Sequence, residues 1–275
     1  MSQRLNKGSW IITFVVILFT VVWFIYPFTW MCLSAFKENR EIYNPLQLFP
    51  TFFNPHFISD LFTGEYINFK SAFTSSLIIA FTQAIGSVFI AVFTGYILAR
   101  FRFPFKFLVF ILSILVIIVP KQVLCIPLLE WMAYLDLNGG YASVIFPGLT
   151  SGLGIIFFMQ VFRQVPREYI DLARVEGASD FRACLLLLPL ISTALLTYGV
   201  IHFILAWHDH LVPLLLLEDS KRTLPLMLAT LNDPSQRIPQ AVTLAASTCT
   251  VLPVAILFGV CYRQFKSAMS EVLVH

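Results

Sequence analysis

The sequence predicts an all-α membrane protein with six transmembrane helices, on the strength of its composition and the spacing of its apolar runs. Of the 275 residues, 58% are hydrophobic and 12% are charged, whereas a soluble domain has about 45–50% apolar and about 25% charged residues. One soluble core of this size cannot bury so much apolar surface, so most of that surface is expected to face lipid. The net charge of +3 gives no reason to expect a nucleic-acid partner.

Six runs are apolar and close to the length of about 20 residues that a spanning helix needs. They cover residues 10–33, 73–99, 107–129, 141–162, 183–206 and 241–262. The third run is interrupted by Pro120, Lys121 and Gln122, so we expect Lys121 near a membrane face or in a polar cavity. The first run follows Arg4 and Lys7, as a signal peptide would, but it is too long and no small-residue cleavage site follows it. We interpret it as a retained helix.

The distribution of basic residues predicts the orientation of these spans. With the N-terminus inside, 11 of the 18 Lys and Arg residues lie on short inner segments, and the other seven lie on longer outer loops. The excess of basic residues on inner segments places both termini in the cytoplasm. The whole chain, residues 1–275, is then one membrane domain. It contains no G-x-x-x-x-G-K-[ST] phosphate loop, so any nucleotide would be bound by another chain.

The inner segment between the fourth and fifth spans, residues 163–189, has the pattern of two short helices joined by a turn. Pro166 suits the first position of a helix, and Gly177 suits the residue just past its end. Ser179 is a good N-cap for a second helix, which would run to Pro189. Capped helices occur in many loops between spans, so this pattern alone leaves the role of the segment open.

Several motifs in the chain resemble those of one family. D-L-A-R-V-E-G-A-S at 171–179 and L-L-P-L at 187–190 resemble the EAA loop of binding-protein-dependent ABC import permeases. Asp171 stands where that motif has Glu, and Leu172 where it has its first Ala. Runs outside the loop resemble the carbohydrate-uptake permeases typified by the maltose and glycerol-phosphate systems. These are G-Y-I-L-A-R-F at 95–101, R-Q-V-P-R-E at 163–168, F-I-L-A-W-H at 203–208 and T-L-P-L at 223–226.

The resemblance implies that the first short helix is a coupling helix, which sits in a cleft of an ATP-binding subunit. Ala173 would pack in that cleft, and charged neighbours would form pairs at its rim. The coupling residues implied are Arg167, Glu168, Asp171, Ala173, Arg174, Glu176, Gly177, Ala178, Ser179 and Pro189. The chain itself would have no catalytic residue, metal or cofactor.

The resemblance also implies a set of partners in a bacterial inner membrane. Two ATP-binding cassette subunits would hold ATP and Mg²⁺, and an external binding protein would deliver the solute. Because six spans cannot easily enclose a solute path, a second permease is expected, and sugar systems usually pair two related but non-identical chains. The solute itself could be a sugar, an oligosaccharide or a glycerol phosphate.

Four polar side chains within the apolar runs are candidates for the translocation path, because polar groups in lipid are costly. They are Gln83, Lys121, Gln160 and His202. The alternative for the two Gln and the His is a hydrogen bond between packed helices, and the alternative for Lys121 is an ammonium that reaches outward to the interface. We interpret the run 207–210, W-H-D-H, as an interfacial anchor rather than a metal site, because His residues two apart do not share a helix face.

Two other classes of protein compete with the importer hypothesis. An ion-coupled secondary transporter would need acidic residues at mid-membrane, and the spans contain no clear one. A membrane-embedded enzyme would need clustered reactive side chains, for which only residues 208–210 give a hint. A third alternative keeps the mechanism and changes the cargo to a non-sugar solute such as an amino acid or a metal.

Overall fold

The computed structural model describes residues 7–44, 46–233, 235 and 237–274. These residues form helices joined by turns, with one isolated β-bridge between Gly139 and Leu217. The all-α prediction is therefore confirmed for this part of the chain. Arg4, which was counted in the orientation, lies outside the described residues.

The α-helices are numbered here in chain order. The first four are α1 (Lys7–Ser34), α2 (Asn39–Ile42), α3 (His56–Thr63) and α4 (Phe69–Arg100). The next six are α5 (Lys106–Ile118), α6 (Lys121–Tyr134), α7 (Tyr141–Gly148), α8 (Gly152–Gln164), α9 (Arg167–Val175) and α10 (Asp180–Leu187). The last four are α11 (Ser192–Trp207), α12 (Leu211–Leu216), α13 (Leu224–Leu231) and α14 (Gln240–Val274).

Five segments of the described chain are helical, long and apolar enough to cross a membrane. They are Ile12–Ser34, Phe69–Arg100, Tyr141–Gln164, Pro189–Trp207 and Gln240–Tyr262. Each overlaps one of the predicted spans, so the structure has a helix long and apolar enough to cross a membrane at five of the six predicted positions.

The third predicted span, 107–129, is not one straight helix. It is the pair α5 and α6, which are bent by 109° relative to each other. Pro120 has no N–H to continue the helix, and it pushes the preceding residue toward extended backbone. Val119 accordingly has φ −71° and ψ 120°, and α6 begins at Lys121. The described chain has a sixth span only if this broken pair of helices is taken as a single span.

The fifth predicted span begins later than expected. The prediction started it at residue 183, but α10 ends at Leu187, a 3₁₀ turn covers Pro189–Ile191, and α11 follows. Pro189 cannot donate to the carbonyl of Leu185, which instead accepts from Leu188 N at 3.2 Å. The short helix α10 is thus separate from the apolar span that follows it.

Packing divides the chain into two compact units. One comprises the chain up to Lys70 together with Leu228–Leu252, and the other comprises Ser71–Met227 with Pro253 onward. In the first unit Lys37 is fully buried, its ammonium donates to the carbonyl of Gln47 at 2.6 Å, and burial lowers its pKa. The single domain predicted over residues 1–275 stays a prediction.

The core of the second unit joins spanning helices to the short helices α9 and α10. Tyr96 of α4, Phe158 and Phe162 of α8 and Tyr198 of α11 are buried in one apolar cluster. Ile170 of α9, and Cys184 and Leu187 of α10, belong to the same cluster. The predicted loop 163–189 is therefore packed onto the ends of the spans.

Candidate functional site

Two features of the second unit coincide with the residues singled out in the sequence. One is the helical hairpin, which we define as α9, the turn at Gly177 and α10 (Arg167–Leu187). The other is a polar cavity bordered by α4, α6, α8 and α11.

The turn of the helical hairpin has the local structure that the sequence predicts. Gly177 has φ +82°, a left-handed conformation. Its N–H donates to the carbonyl of Arg174 at 3.0 Å, and the N–H of Ala178 donates to the carbonyl of Ala173 at 2.9 Å. These two bonds form a Schellman motif, which satisfies carbonyls left unpaired at the end of α9. The predicted role of Gly177 at a helix end is confirmed.

The two helices of the hairpin begin as the sequence suggests, with one shift of position. Ser179 is the N-cap of α10, and its hydroxyl accepts from the N–H of Arg182 at 3.4 Å. Pro166 was predicted as the first helical residue, but it is the N-cap of α9, with φ −56° and ψ 143°. Glu168 lies in the first turn of α9, where a negative charge interacts favourably with the helix dipole.

One ion pair spans the turn of the hairpin. The carboxylate of Asp180 accepts from Arg174 Nη2 at 2.8 Å and from its Nε at 3.2 Å, and these hydrogen bonds raise the pKa of Arg174. Both side chains are half exposed, so the pair adds little to stability. Arg167, Asp171 and Glu176, which were expected to form rim pairs, are exposed to solvent in this chain.

The apolar residues of α9 divide between two faces. Ile170 and Ala173 are buried against the chain, and Ala173 is only 7% exposed. Tyr169, Leu172 and Val175 are exposed, Leu172 by 61% and Val175 by 86%. Ala173 was expected to pack into a partner's cleft, and this expectation is corrected, because Ala173 faces the interior of the second unit. Tyr169, Leu172 and Val175 form the exposed apolar face, which sequence reasoning missed.

Arg100 of α4 holds the segment that connects α8 to the helical hairpin. Its guanidinium donates to the carbonyls of Phe162 and Val165. The carbonyl of Phe162 would normally accept from the N–H four residues later, but that residue is Pro166, which has none. Arg100 satisfies this carbonyl and so ties the end of α4 to the residues just before α9. Arg100 belongs to the run 95–101 noted in the sequence, but nothing in the sequence indicated which carbonyls it would contact.

The second feature is a cavity of about 330 Å³ in the spanning part of the second unit. Its wall is mainly apolar, with Val and Leu as the commonest residues, and includes a small set of polar side chains. The polar side chains among its lining residues are Gln83, Lys121, Thr150, Ser151, His202 and Asp209. We call this space the polar cavity.

The polar cavity lies where the span Tyr141–Gln164 is interrupted between α7 and α8. The break leaves carbonyls of α7 without helical partners. Gln83 donates from Nε2 to the carbonyl of Val144 at 2.8 Å, and His202 Nε2 lies 3.0 Å from the carbonyl of Gly148. Ser151 caps α8 by accepting from the N–H of Gly154 at 3.3 Å. Gln83 and His202 therefore make hydrogen bonds between helices and also line the cavity.

Lys121 lines the polar cavity and makes an ion pair there. Its Nζ lies 2.8 Å from Oδ2 of Asp209. The other carboxylate oxygen of Asp209 accepts from the N–H of Leu211 at 3.2 Å. Sequence reasoning missed this partner because the two residues are 88 positions apart.

Gln160 and Trp207 both lie outside the polar cavity, and a role of Gln160 in the translocation path stays a prediction. Gln160 is exposed on α8 and is not among the lining residues of the polar cavity. Trp207 was interpreted as part of an interfacial anchor, but it is 1% exposed and packs against Phe73 and Phe203. Among the described residues no group of three or more His, Cys, Asp or Glu side chains could hold a metal ion.

A cavity lined by hydrogen-bonding groups among apolar spans keeps a polar solute out of contact with lipid, as a membrane transport component requires. The chain belongs to the family of binding-protein-dependent transport system inner membrane components, whose sequence profile matches residues 91–271. It is therefore a multi-pass inner-membrane protein, the permease component of an ABC importer, and it works in a complex with other subunits.

Individual relatives agree with this assignment over nearly the whole chain. The chain is 28% identical over 272 residues to the arabinooligosaccharides transport system permease protein AraQ of Halalkalibacterium halodurans, with 95% of each chain covered. It is 26% identical over 280 residues to the sn-glycerol-3-phosphate transport system permease protein UgpE of Yersinia pestis, covering 97% of this chain and 98% of the relative. These relatives give no support to an ion-coupled transporter or a membrane enzyme.

A solved structure shares the fold. It is a bacterial ABC transporter involved in the import of the acidic polysaccharide alginate, and one of its chains superposes with a TM-score of 0.80 at 15% identity. The match covers 96% of this chain and 98% of that one. At this identity the likeness is one of architecture.

Proposed function

We propose that this chain forms half of the translocation path for a sugar or sugar-like solute, and that its helical hairpin couples the path to a separate ATPase. The coupling segment is residues 166–189, and the spans are oriented with both termini in the cytoplasm. ATP and Mg²⁺ are bound by two ATP-binding cassette partners, and an external binding protein delivers the solute. A second, related but non-identical permease supplies the other half of the path.

The observation that carries the coupling proposal is the exposed apolar face of α9. Tyr169, Leu172 and Val175 stand at spacings of three, which places neighbours on the same side of a helix. Such a face on a polar helix is typical of a protein contact rather than of a free surface. The opposite face, with Ile170, is packed into the core that also holds α4, α8 and α11. A force on α9 would therefore be transmitted to spanning helices.

The proposal of a second permease is supported by a surface that this chain leaves uncovered. Within the second unit, Gln160 is exposed on the apolar span Tyr141–Gln164. A polar amide directed at lipid is costly. A partner chain, or the shared path between two permeases, gives Gln160 a polar environment.

The sugar class is supported by the names of the relatives, which concern arabinooligosaccharides and sn-glycerol-3-phosphate. These two solutes are both rich in hydroxyl groups, but one is neutral and the other is an anion. The polar cavity, with Gln83, Lys121 and His202 in its wall, is the part of the proposed path that this chain contributes.

The coupling proposal is tested by replacing Leu172 with Asp and capturing the tagged chain from its own membrane in mild detergent. A carboxylate in an apolar contact is desolvated without a partner, so we expect the copurifying P-loop ATPase to fall by about tenfold or more. The matched control is Leu46→Asp, which makes the same change at an exposed Leu outside the hairpin. Full ATPase recovery with Leu172→Asp would show that α9 is not the docking surface.

A further inference from the structure

The polar cavity contains two formal charges, and they cancel. Lys121 and Asp209 are joined at 2.8 Å, and none of the other described lining residues is Asp, Glu, Lys or Arg. Asp209 is the more enclosed partner, with 17% of its side chain exposed, against 66% for Lys121. The wall therefore offers charged hydrogen-bonding atoms without a net charge.

His202 adds no charge to this balance. Its Nε2 faces the carbonyl of Gly148, which can only accept, so this nitrogen carries a proton. Its Nδ1 lies 3.3 Å from the hydroxyl of Tyr198, which can donate to it, and Ser87 lies 2.7 Å from the same hydroxyl. His202 as a whole is 8% exposed. These contacts fit the neutral imidazole, because a second proton on an enclosed ring is costly without a negatively charged acceptor.

An anionic solute has no free cation to bind in this wall. To pair with it, Lys121 would have to leave Asp209, and the enclosed carboxylate would then be left without its counter-charge. A cationic solute would need Asp209 as its counter-charge, but Asp209 is already paired with Lys121. A neutral solute with hydroxyl groups can donate to Asp209 and accept from Lys121 while the two remain together. Hydroxyls of Thr150 and Ser151 extend the same chemistry along the wall.

We infer that the polar cavity selects a neutral, polyhydroxylated solute and works against anionic ones such as sugar phosphates and uronates. This inference rests on the proposed function, since it assumes that the polar cavity is part of the translocation path. None of the described lining residues is Phe, Tyr or Trp, so this wall provides no ring of these types for a sugar to stack on. Recognition in this wall depends on hydrogen bonds.

The test uses the whole complex, with its partner subunits and binding protein, in proteoliposomes loaded with ATP. The neutral probes are arabinotriose and maltotriose, and the anionic probes are trigalacturonate and sn-glycerol-3-phosphate. We expect ATP-dependent uptake of at least one neutral probe to exceed that of both anions by about tenfold or more. Anion uptake equal to or faster than neutral uptake would overturn the inference and leave the importer intact. Uptake of neither class would refute the proposed sugar transport itself.

Variants of the ion pair test whether the two charges act as a compensated unit. Lys121→Gln leaves the wall negative and Asp209→Asn leaves it positive, so each is expected to slow uptake of the neutral probe by about tenfold. The double variant restores a wall without net charge and should recover to within about threefold of the unmodified complex. The control is Asp219→Asn, which breaks an exposed ion pair with Arg222 outside the cavity and should leave uptake unchanged. A double variant no faster than the slower single one would overturn the inference. The comparison of probes with the unmodified complex stands even if a variant fails to assemble.

Discussion

Replacing Gly177 with Val tests the helical hairpin through its backbone rather than through its contact surface. Gly177 has φ +82°, a region that a β-branched residue enters only at a cost of about 1–3 kcal/mol. A Cβ atom at this position would meet nothing within 4 Å beyond the adjacent residues, so the cost comes from the backbone conformation rather than from crowding at Cβ. The penalty falls on the turn that holds α9 against α10, including the bonds to the carbonyls of Arg174 and Ala173.

A penalty of this size lowers the population of the native hairpin by about 5- to 150-fold relative to other conformations of the turn. We expect the copurifying ATPase and ATP-dependent uptake to fall together, because both need α9 in its native position. Gly177→Asn should lose much less of the bound ATPase and of the uptake, since Asn tolerates left-handed backbone. Gly259→Val is the matched control, because Gly259 also has open space around it but an ordinary helical φ.

The assay measures the ATPase bound per tagged chain and the initial rate of solute uptake, after gel filtration has shown that each variant is monodisperse. We expect high ATPase binding and uptake for the unmodified chain, Gly259→Val and Gly177→Asn. Both readouts should be low for Gly177→Val. If Gly177→Val binds ATPase and supports uptake as well as Gly259→Val does, the native turn is not needed for coupling, and the reasoning is refuted.

Two further predictions concern packing and orientation. Gly152→Ala would place a methyl group 2.0 Å from the carbonyl oxygen of Ser113, so α5 and α8 must move apart. We expect the free energy of unfolding to fall by about 1–3 kcal/mol, which lowers the melting temperature in detergent by about 3–10 °C. The control Gly259→Ala should change the melting temperature little. An unchanged melting temperature for Gly152→Ala would contradict the close packing. Arg102→Cys, at an exposed residue of an inner segment outside the hairpin, should gain labelling by a membrane-impermeant maleimide only after the cells are opened. Asp219→Cys should gain it in intact cells, and each is compared with the parent chain. The opposite pattern would reverse the proposed orientation.

Features that depend on neighbours in sequence were predicted well. The apolar runs located five spans, because a helix in lipid satisfies its own backbone and needs only about 20 apolar residues. Gly177 and Ser179 were placed correctly as a helix end and an N-cap, because both act on groups within a few residues of themselves. The sequence indicated an interruption of the third run at Pro120, but neither the bend there nor its size of 109° was predicted.

Features that depend on which helix face packs inward were predicted poorly. Ala173 and Leu172 are adjacent in a run with several apolar residues, and only the packing of Ile170 into the core decides that Leu172 is the exposed one. Gln160 and His202 looked alike as polar residues in apolar spans. The structure directs His202 toward the polar cavity and leaves Gln160 exposed.

The sequence by itself determined that this chain is a helical membrane protein, where most of its spans lie, and the local form of the hairpin, because hydropathy and capping act over short distances along the chain. Only the tertiary structure decided the composition of the polar cavity. Lys121 and Asp209 are 88 positions apart, and neither residue carries a local signal of the other. Their pairing follows from the bend after α5 and the end of α11, which bring a base and an acid to one wall and cancel its charge.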